Sequence, residues 1–533
     1  MIGKLKLLSL LCGTTLLYTT QHSFAQTESS KTTPPEISPS TLPRIGTIDE
    51  RFQSYNIEMV EVTGGRFWKP YASADKTPVV DKQPSENQPT GMDPSLYQYR
   101  LPIDLTNTRL RKLAAALGPA YVRVSGTWAN TTFFQTSDSP SPDTPPTGFK
   151  GVLTRKQWKG VVDFSHAANA EIVTSFAVSP GTRNAAGIWT PDQAQLLLDY
   201  TKSVGGHIAA AEYMNEPNLA EIGGAPKGYD AADYGRDVAV FRAFAKHAVP
   251  NMLILGPGSA GEGTLMTPSS MHTLSSADLF TAAGLAFDAV SYHSYGAVSS
   301  RCAGFGATAT TTASAALSEG WLSRSDLIEA FYGGIRDRFE PGQPLWNTET
   351  AQAACGGDRW ASTFLDTFRY LNQLGTLAKH GVQVQMHNTL AASDYGLLDE
   401  KTYEPRPNYW AALLWRTFMG ATVLDANNSP TPDLYVYAHC MRQHPGGAAV
   451  LVINANRDEV QTLQVSMASE SYTLTAQPLE DNHVRLNGID LQLGPDDALP
   501  AFKANHAPAG QIKFSPASIT FLAFPDAQND ACK

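Results

Sequence analysis

Two glutamates, each placed where a predicted strand opens into a loop, carry the strongest chemical signal in this sequence. Glu216 follows the apolar run 208–211, which is typical of a buried strand, and Pro217 ends that strand. Glu349 follows a second predicted strand, 133 residues later (349 − 216). Two facing carboxyl groups can hydrolyse a glycosidic bond, because one protonates the departing oxygen while the other attacks the anomeric carbon or activates water. The pair therefore predicts a glycoside hydrolase.

Further polar residues at predicted strand ends are candidates for contacts with a sugar. Asn215 is placed to hydrogen-bond a 2-hydroxyl group, and Tyr295 to hydrogen-bond the nucleophile and keep it ionised. The other candidates are Glu58 (strand one), His293 (strand six) and Asn388 (strand eight), and Arg123 (strand two) is placed to orient a carboxylate from beneath the site. For each of them the alternative is a purely structural role as a buried, satisfied polar group.

The elements that must position these residues alternate regularly between strand and helix from about residue 50 to 419. Eight strand–helix pairs predict an α/β fold, a (β/α)8 TIM barrel, with Glu216 after strand four and Glu349 on strand seven. Strands on opposite arcs can bring two carboxyl groups to roughly 5–5.5 Å, the separation of a retaining enzyme. A doubly wound nucleotide-binding fold is disfavoured, since no glycine-rich fingerprint or Walker loop follows a strand.

The ends of the chain differ in composition from the barrel. Lys4 and Lys6, an apolar stretch over 7–18 and a small-residue site ending at Ala25 predict a signal peptide, and hence a secreted or periplasmic protein. Short alternating runs after about residue 425 predict a β-sandwich. The predicted domains are a signal peptide (1–25), a disordered leader (26–47), the catalytic barrel (48–422) and a C-terminal all-β sandwich domain (423–533), to which a strand from about 44–52 is a candidate addition.

Composition narrows the range of partners. A net charge of −10 with no long Lys/Arg run argues against nucleic acid or a sulfated polymer. The four cysteines that remain after cleavage at Ala25 have no metal-site spacing, so neither a metal nor another cofactor is expected, and three disulfide connectivities are open. Cys355 lies six residues after Glu349, and Cys302 lies in the long loop after strand six. We hypothesise that these two form a disulfide that pins this loop over the pocket; two free thiols are the alternative.

Long loops after strands one, two and six would all lie on the carboxyl-terminal face of the barrel and wall a pocket. The first of them carries Phe67, Trp68 and Tyr71. These aromatic side chains are either sugar-binding platforms or packing groups that hold the loop on the barrel.

Several segments together are more specific than either glutamate. They are Tyr-Met-Asn-Glu-Pro-Asn (213–218), Asn-Thr-Glu-Thr (347–350), and the segments 117–127, 288–295, 395–399 and 407–410. In these segments the chain resembles the β-glucuronidase/heparanase family, glycoside hydrolase family 79, over about residues 50–420.

The resemblance implies specific roles for several residues. Glu216 would be the acid/base and Glu349 the nucleophile, with net retention of configuration. The backbone amides of Gly356 and Gly357 and the Tyr395 hydroxyl would bind the uronate carboxylate, as a glycine-rich turn can do without an arginine. Two further implications are a substrate contact at Thr127 and a Cys440–Cys532 disulfide. One departure is that Ala354-Cys355 replaces the tyrosine that many members have before the glycine turn.

The predicted function is thus an exported, retaining exo-β-glucuronidase that acts on a glucuronic-acid-containing oligosaccharide or glycoside. The alternatives are an endo-acting heparanase or hyaluronidase, which would need an open cleft with basic subsites, and a hydrolase of neutral sugars from the same barrel clan. A non-catalytic carbohydrate-binding protein is the alternative outside enzymes, and it would have lost a carboxylate. No nucleic acid and no membrane insertion are expected, and the sequence leaves the oligomeric state open.

Overall fold

The computed structural model describes residues 36–71, 89, 92–142, 144–263, 273–305, 310–426 and 431–533. The strands are β1 (Glu36–Ile37), β2 (Arg44–Thr47), β3 (Gln53–Glu58), β4 (Gly65–Trp68), β5 (Tyr97–Arg100), β6 (Ala120–Ser125), β7 (Thr132–Gln135), β8 (Gly151–Thr154), β9 (Ala170–Ser175), β10 (Ile208–Glu212), β11 (Leu253–Ala260), β12 (Ala289–Tyr295), β13 (Leu345–Ala351), β14 (Val384–His387), β15 (Met419–Leu424), β16 (Leu434–Met441), β17 (Ala448–Asn454), β18 (Gln461–Val465), β19 (Ser469–Thr475), β20 (Arg485–Leu486), β21 (Ile489–Asp490), β22 (Asn505–Ala507), β23 (Gly510–Phe514) and β24 (Ser518–Phe524). The helices are α1 (Met59–Thr63), α2 (Thr108–Ala116), α3 (Arg155–Ala167), α4 (Asp192–Ser203), α5 (Ala231–Ala248), α6 (Ser276–Ala283), α7 (Glu319–Leu322), α8 (Arg324–Phe339), α9 (Phe364–Lys379) and α10 (Pro407–Phe418).

Eight parallel strands close into a barrel in the order β3-β6-β9-β10-β11-β12-β13-β14. Because parallel neighbours need crossover connections, a helix follows nearly every strand and covers the outside of the barrel. The predicted (β/α)8 fold is confirmed. Glu216 follows the fourth barrel strand and Glu349 lies on the seventh, as strand counting predicted.

The barrel interior is built in layers. Its floor is an apolar cluster that includes Tyr121, Leu255 and Trp346, whose side chains are at most 8% exposed. The strand positions above this floor carry polar side chains instead, among them Arg123 and Glu212, which are also buried. Charged groups buried this deeply need partners of opposite charge. The layer that contains Arg123 and Glu212 therefore lies directly beneath the carboxyl-terminal end of the barrel, where active sites of this fold are found.

The C-terminal part of the chain forms two sheets. The larger sheet runs β2-β15-β16-β17-β24-β19-β20-β21, with β22 paired to β19, and the smaller sheet is β1-β18-β23. An apolar cluster with Val450, Leu463 and Phe514 fills the space between them. The other face of the large sheet packs on the barrel, where the rings of Phe418 and Tyr472 lie 4.5 Å apart.

Residues 36–47, which belong to the predicted disordered leader, are ordered in the structure, and β2 lies where a strand was a candidate addition to the sandwich. There β1 pairs in parallel with β18, and β2 pairs antiparallel with β15. Ile37 and Leu42 are buried in the core between the sheets, and Asn529 Nδ2 donates to the carbonyls of Pro39 and Leu42. The segment is ordered because both sheets offer it an edge and a cavity for its apolar side chains. The predicted signal peptide and the leader up to residue 35 lie outside the described residues.

No helix in the described parts of the chain is both long enough and apolar enough to cross a lipid bilayer.

Candidate active site

The two glutamates predicted from the sequence face each other at the carboxyl end of the barrel. A carboxylate oxygen of Glu216, one of Glu349 and a ring nitrogen of His293 all lie within 4.8 Å of one another. Retaining glycosidases hold their two carboxyl groups about 5–5.5 Å apart, whereas inverting enzymes leave room for a water molecule at roughly 6.5–9.5 Å. The separation in this barrel therefore fits direct nucleophilic attack.

The backbone turn that aims Glu216 into the barrel mouth is strained and clamped. Glu216 adopts the left-handed conformation (φ 48°, ψ 62°), which is uncommon for a residue with a Cβ atom. Asn130, from the loop after β6, donates to the carbonyl of Asn215 and accepts from its N–H, each at 2.9 Å. Such strain persists only where surrounding contacts hold it. Asn130 was not predicted as a site residue, and no sequence motif marks it.

Glu349 is surrounded by hydrogen-bond donors. Arg123 Nη1 donates to its Oε2 at 2.8 Å, and the Tyr295 hydroxyl donates to its Oε1 at 2.6 Å. Asn388 Nδ2 in turn donates to the Tyr295 hydroxyl at 3.0 Å and to Glu58 Oε1 at 3.1 Å. Donors on both oxygens stabilise a negative charge on Glu349, which a nucleophile requires.

The surroundings of Glu216, in contrast, disfavour a negative charge on its carboxyl group. Burial raises its pKa, and the nearby charge of Glu349 raises it further, while the hydrogen bond with His293 partly offsets both. Arg123 Nη2 lies 3.2 Å from His293 Nε2, and a guanidinium can only donate, so His293 Nδ1 carries the proton and donates to Glu216 Oε1 at 3.0 Å. A carboxyl group whose pKa is raised in this way is suited to serve as a general acid.

A second buried carboxylate holds this arrangement from below. Glu212 accepts from Arg123 Nη2 at 2.7 Å, and from the hydroxyls of Ser291 and Thr348 at 2.8 Å each. Burial alone would raise the pKa of Glu212, but the guanidinium of Arg123 brings it below its ordinary value. Glu212 therefore neutralises Arg123 and orients it toward Glu349. The sequence carried one signal for this residue, a lone charge at the end of the alanine-rich strand β10.

We expect Glu212→Gln to lower kcat by about 10- to 100-fold, because Arg123 loses a countercharge and a fixed orientation. KM should change little, since Glu212 does not line the cavity. Steady-state kinetics across pH, with the melting temperature as a check on folding, would measure this. Glu221→Gln, at an exposed position nearby, is the matched control. A fully active Glu212→Gln protein would show that Arg123 is positioned without Glu212.

The two glutamates open into a cavity of about 1100 Å³ of empty volume. The predicted site residues among those that line it are Glu58, Thr127, Glu216, Tyr295, Glu349, Asn388 and Tyr395. Burial raises the pKa of Glu58 well above its ordinary value, with a further contribution from Glu349. Burial thus disfavours the charged forms of Glu58 and Glu216, while Glu349 shares the Arg123 guanidinium with Glu212.

Four predicted residues lie behind the wall of this cavity. Asn215 uses its side-chain oxygen to accept from Arg123 at 2.7 Å, and His293 bridges Arg123 and Glu216. Of the glycine turn, the described lining includes Ala354 and Cys355 but neither Gly356 nor Gly357. The N–H of Gly357 donates to the carbonyl of Ala353 at 3.2 Å.

The glycine turn is held tightly between neighbouring loops. Cys355, Gly356 and Gly357 all have positive φ (64°, 83° and 81°). A Cβ atom on Gly356 would lie 2.5 Å from Ser393 Oγ and 2.6 Å from Trp68 Cβ, so only glycine fits this position. Cys355 is bonded to Cys302, which joins the loops after β12 and β13, and Cys440 is bonded to Cys532.

The aromatic side chains of the first long loop were expected either to bind a sugar or to pack the loop onto the barrel, and the structure contains both arrangements. Trp68 lines the cavity and stacks on Tyr97 with ring centroids 4.6 Å apart. Phe67 is buried against Trp128, and Tyr71 packs under the guanidinium of Arg301. Only Trp68 of the three is therefore placed to form a sugar platform.

Glu216, His293 and Glu349 are also close enough to resemble a set of metal ligands. However, the Arg123 guanidinium already bonds Glu349 and contacts the other side of His293. A fixed cation at these atoms competes with a metal ion for the same charge, so the donor set fits a carboxylate pair better than a metal centre.

Comparison with known proteins agrees with this geometry. A family model described as "Glycosyl hydrolase family 79, N-terminal domain" matches residues 84–375. The chain is 27% identical over 384 residues to heparanase-like protein 1 of Arabidopsis thaliana, covering 69% of this chain and 68% of that protein. It is 26% identical over 474 residues to baicalin-β-D-glucuronidase of Scutellaria baicalensis, covering 80% and 84%.

A solved structure extends the comparison to the fold. The 4-O-α-L-rhamnosyl-β-D-glucuronidase from Fusarium oxysporum 12S matches with a TM-score of 0.61 at 14% identity, over 92% of this chain and 99% of that one. The family match spans more than half of the chain and confirms the resemblance found in its motifs. The protein is a glycoside hydrolase and belongs to glycosyl hydrolase family 79.

Proposed function

We propose that this protein is a retaining exo-β-glucuronidase that removes terminal β-linked glucuronic acid from a glycan or glycoside. The observation that carries the proposal is the asymmetric pair of glutamates within 4.8 Å, one ion-paired and one with a raised pKa. Glu349 attacks the anomeric carbon while Glu216 protonates the departing oxygen. Glu216 then deprotonates the water molecule that releases the sugar from Glu349, which restores both groups.

The charge of the cavity is compatible with a substrate that carries a carboxylate, although no described lining residue is basic. The described lining has four glutamates and no Lys, Arg or His. Such a site would repel a uronate if every carboxyl group were ionised. Burial raises the pKa values of Glu58, Glu216 and Glu262, and Arg123 pairs with Glu349, so fewer than four negative charges face the sugar. The Tyr395 hydroxyl at the wall offers a donor for the uronate.

The names of the relatives are the basis for proposing glucuronic acid as the sugar. Baicalin-β-D-glucuronidase matches over most of its length, and proteins named heparanase or heparanase-like match as well. Both kinds of name are compatible with a glucuronide. Exo action is favoured because the loops beside Glu349 are tied together. Asp394 accepts from the N–H of Tyr71 at 3.1 Å and from Arg301 at 2.5 Å, next to the Cys302–Cys355 bond.

Export is part of the proposal and rests on the composition of the first 25 residues. The two cystine pairs are consistent with an oxidising compartment.

Hydrolysis of p-nitrophenyl β-glucuronide beside the β-glucoside and β-xyloside tests the sugar specificity. We expect kcat/KM for the glucuronide to exceed that for the glucoside by about 100-fold or more, because the site is shaped for a group that the glucoside lacks. Tyr395→Phe should reduce this ratio by lowering activity on the glucuronide selectively. Activity on the neutral glycosides with none on the glucuronide would overturn the uronate specificity, and an α-anomeric first product by NMR would overturn retention.

A further inference from the structure

The leaving group of the substrate can be located relative to the two glutamates. The acid must reach the glycosidic oxygen, so the leaving group lies on the Glu216 side of the scissile bond and the sugar lies on the Glu349 side. Two segments form the cavity wall beyond Glu216. One is the turn that follows it, with Leu219 and Ile222, and the other is the end of β11, with Ala260.

Two polar side chains in this wall, Asn218 and Glu262, are already engaged with the protein, and the Thr273 side chain also lines the cavity. Asn218 donates from Nδ2 to the carbonyl of Ala260 at 2.6 Å and accepts at Oδ1 from its N–H at 3.0 Å. Glu262 accepts from the N–H of Ser276 at 3.0 Å and from its hydroxyl group. What the wall offers to a leaving group is therefore mainly the apolar surface of Leu219, Ile222 and Ala260.

The electrostatic character of the wall also limits what can bind. Glu262 is the acidic side chain in this part of the described lining, with a pKa that burial raises, and no described residue that lines the main cavity is basic. Lys150 does not line the main cavity but lines an adjoining one of about 220 Å³, which shares Pro89, Thr127, Trp128 and Ile222 with it. A sulfate or carboxylate on the leaving group would have to lie near carboxyl groups, on a surface without a cationic partner.

We propose that this wall, formed by Leu219, Ile222 and Ala260, is an aglycone subsite for an uncharged aromatic or aliphatic alcohol. This inference rests on the proposed retaining mechanism and names the class of leaving group that the enzyme accepts. Apolar area removed from water stabilises such a group, whereas an anionic sugar residue finds no cation in the described wall. The enzyme therefore acts on glycosides of hydrophobic alcohols in preference to sulfated polysaccharides.

The test compares 2-naphthyl β-glucuronide with its 6-sulfo derivative, two phenolic leaving groups of similar size and similar acidity. We expect the sulfonate to lower kcat/KM by about 10- to 100-fold in the wild-type enzyme. Equal rates, or a preference for the sulfonate through Lys150, would overturn the proposal.

Ile222→Lys adds a cation at a partly exposed wall position, and it should reduce this discrimination by about tenfold. Leu285→Lys adds the same charge at a position that is 67% exposed, before β12 and thus at the opposite end of the barrel, and should leave the ratio unchanged. A ratio that is the same in Ile222→Lys and the wild type would remove Ile222 from the subsite.

Failure of the aglycone proposal is distinguishable from failure of the glucuronidase proposal. The naphthyl and sulfonaphthyl pair can be made on whichever sugar the enzyme accepts, including glucose. Discrimination between the two aglycones on glucosides, with no activity on glucuronides, would retain the subsite and overturn the sugar specificity. Activity on both glucuronides without discrimination would retain the glucuronidase proposal and overturn the aglycone subsite.

Discussion

Glu349→Ala is expected to lower kcat by at least about 10⁴-fold on any substrate, because the covalent intermediate can no longer form. Arg123 and Tyr295 would lose the carboxylate that they contact at 2.8 Å and 2.6 Å, so the variant should also melt at a lower temperature. Glu349→Gln retains the size of the side chain and separates the loss of chemistry from the loss of packing. Both variants should be inactive by the release of p-nitrophenol.

The control for Glu349 is another buried glutamate with a structural role. Glu340 accepts from the N–H groups of Ala286 and Phe287 at 2.7 Å and 3.1 Å, just before β12 and away from the cavity. Glu340→Gln keeps an acceptor oxygen at this position and should retain most of the activity. Turnover by Glu349→Ala that is comparable to the wild type would remove the assigned nucleophile.

Glu216→Ala is expected to show a loss that depends on the leaving group. An activated aglycone such as p-nitrophenol departs without protonation, so formation of the intermediate continues while its hydrolysis slows. Azide needs no general base and should raise the rate by about tenfold or more, with β-glucuronosyl azide as the product. An unactivated alkyl glucuronide should be nearly inert. Absence of azide rescue, together with equal losses on both substrates, would contradict the acid/base role.

The pH dependence of kcat/KM is expected to follow the protonation of Glu216. Burial and then Glu349 hold the pKa of Glu216 above its ordinary value. The acid form is required, so kcat/KM should remain high at pH values where an exposed glutamate is fully ionised, and should fall as pH rises through this raised pKa. In Glu216→Gln the alkaline limb should disappear from the profile measured with an activated substrate. A limb unchanged in this variant would assign it to another group.

The pair of glutamates could be predicted from the sequence because barrel geometry constrains it strongly. Apolar runs of strand length marked β10 and β13, and all strands of a (β/α)8 barrel direct their carboxyl ends to one face. Counting strands was therefore enough to place Glu216 and Glu349 together. Tyr295, Asn388 and Glu58 were predicted on the same basis, and they line the cavity.

The supporting contacts could not be predicted in this way. Asn130 clamps Asn215 across 85 residues of sequence, and Glu212 bonds Arg123 across 89. No local periodicity encodes such a pairing, since it depends on the register between strands and on how a loop folds back. The order in residues 36–43 escaped prediction for a similar reason, because β1 pairs with a strand that begins near residue 461.

By itself, the sequence determined the barrel, the placement of Glu216 and Glu349 at one end of it, and the family. Repeated hydrophobic patterns and short motifs are local properties, so they can be read from neighbouring residues in the sequence. The tertiary structure alone showed which carboxyl group is ion-paired with Arg123 and which has a raised pKa. That difference arises from burial and from Arg123, Tyr295 and His293, which reach Glu216 and Glu349 from separate strands. It also decided that Ala354 and Cys355, not the adjacent glycines, face the cavity, because the turn is held by contacts with Trp68, Ser393 and Cys302.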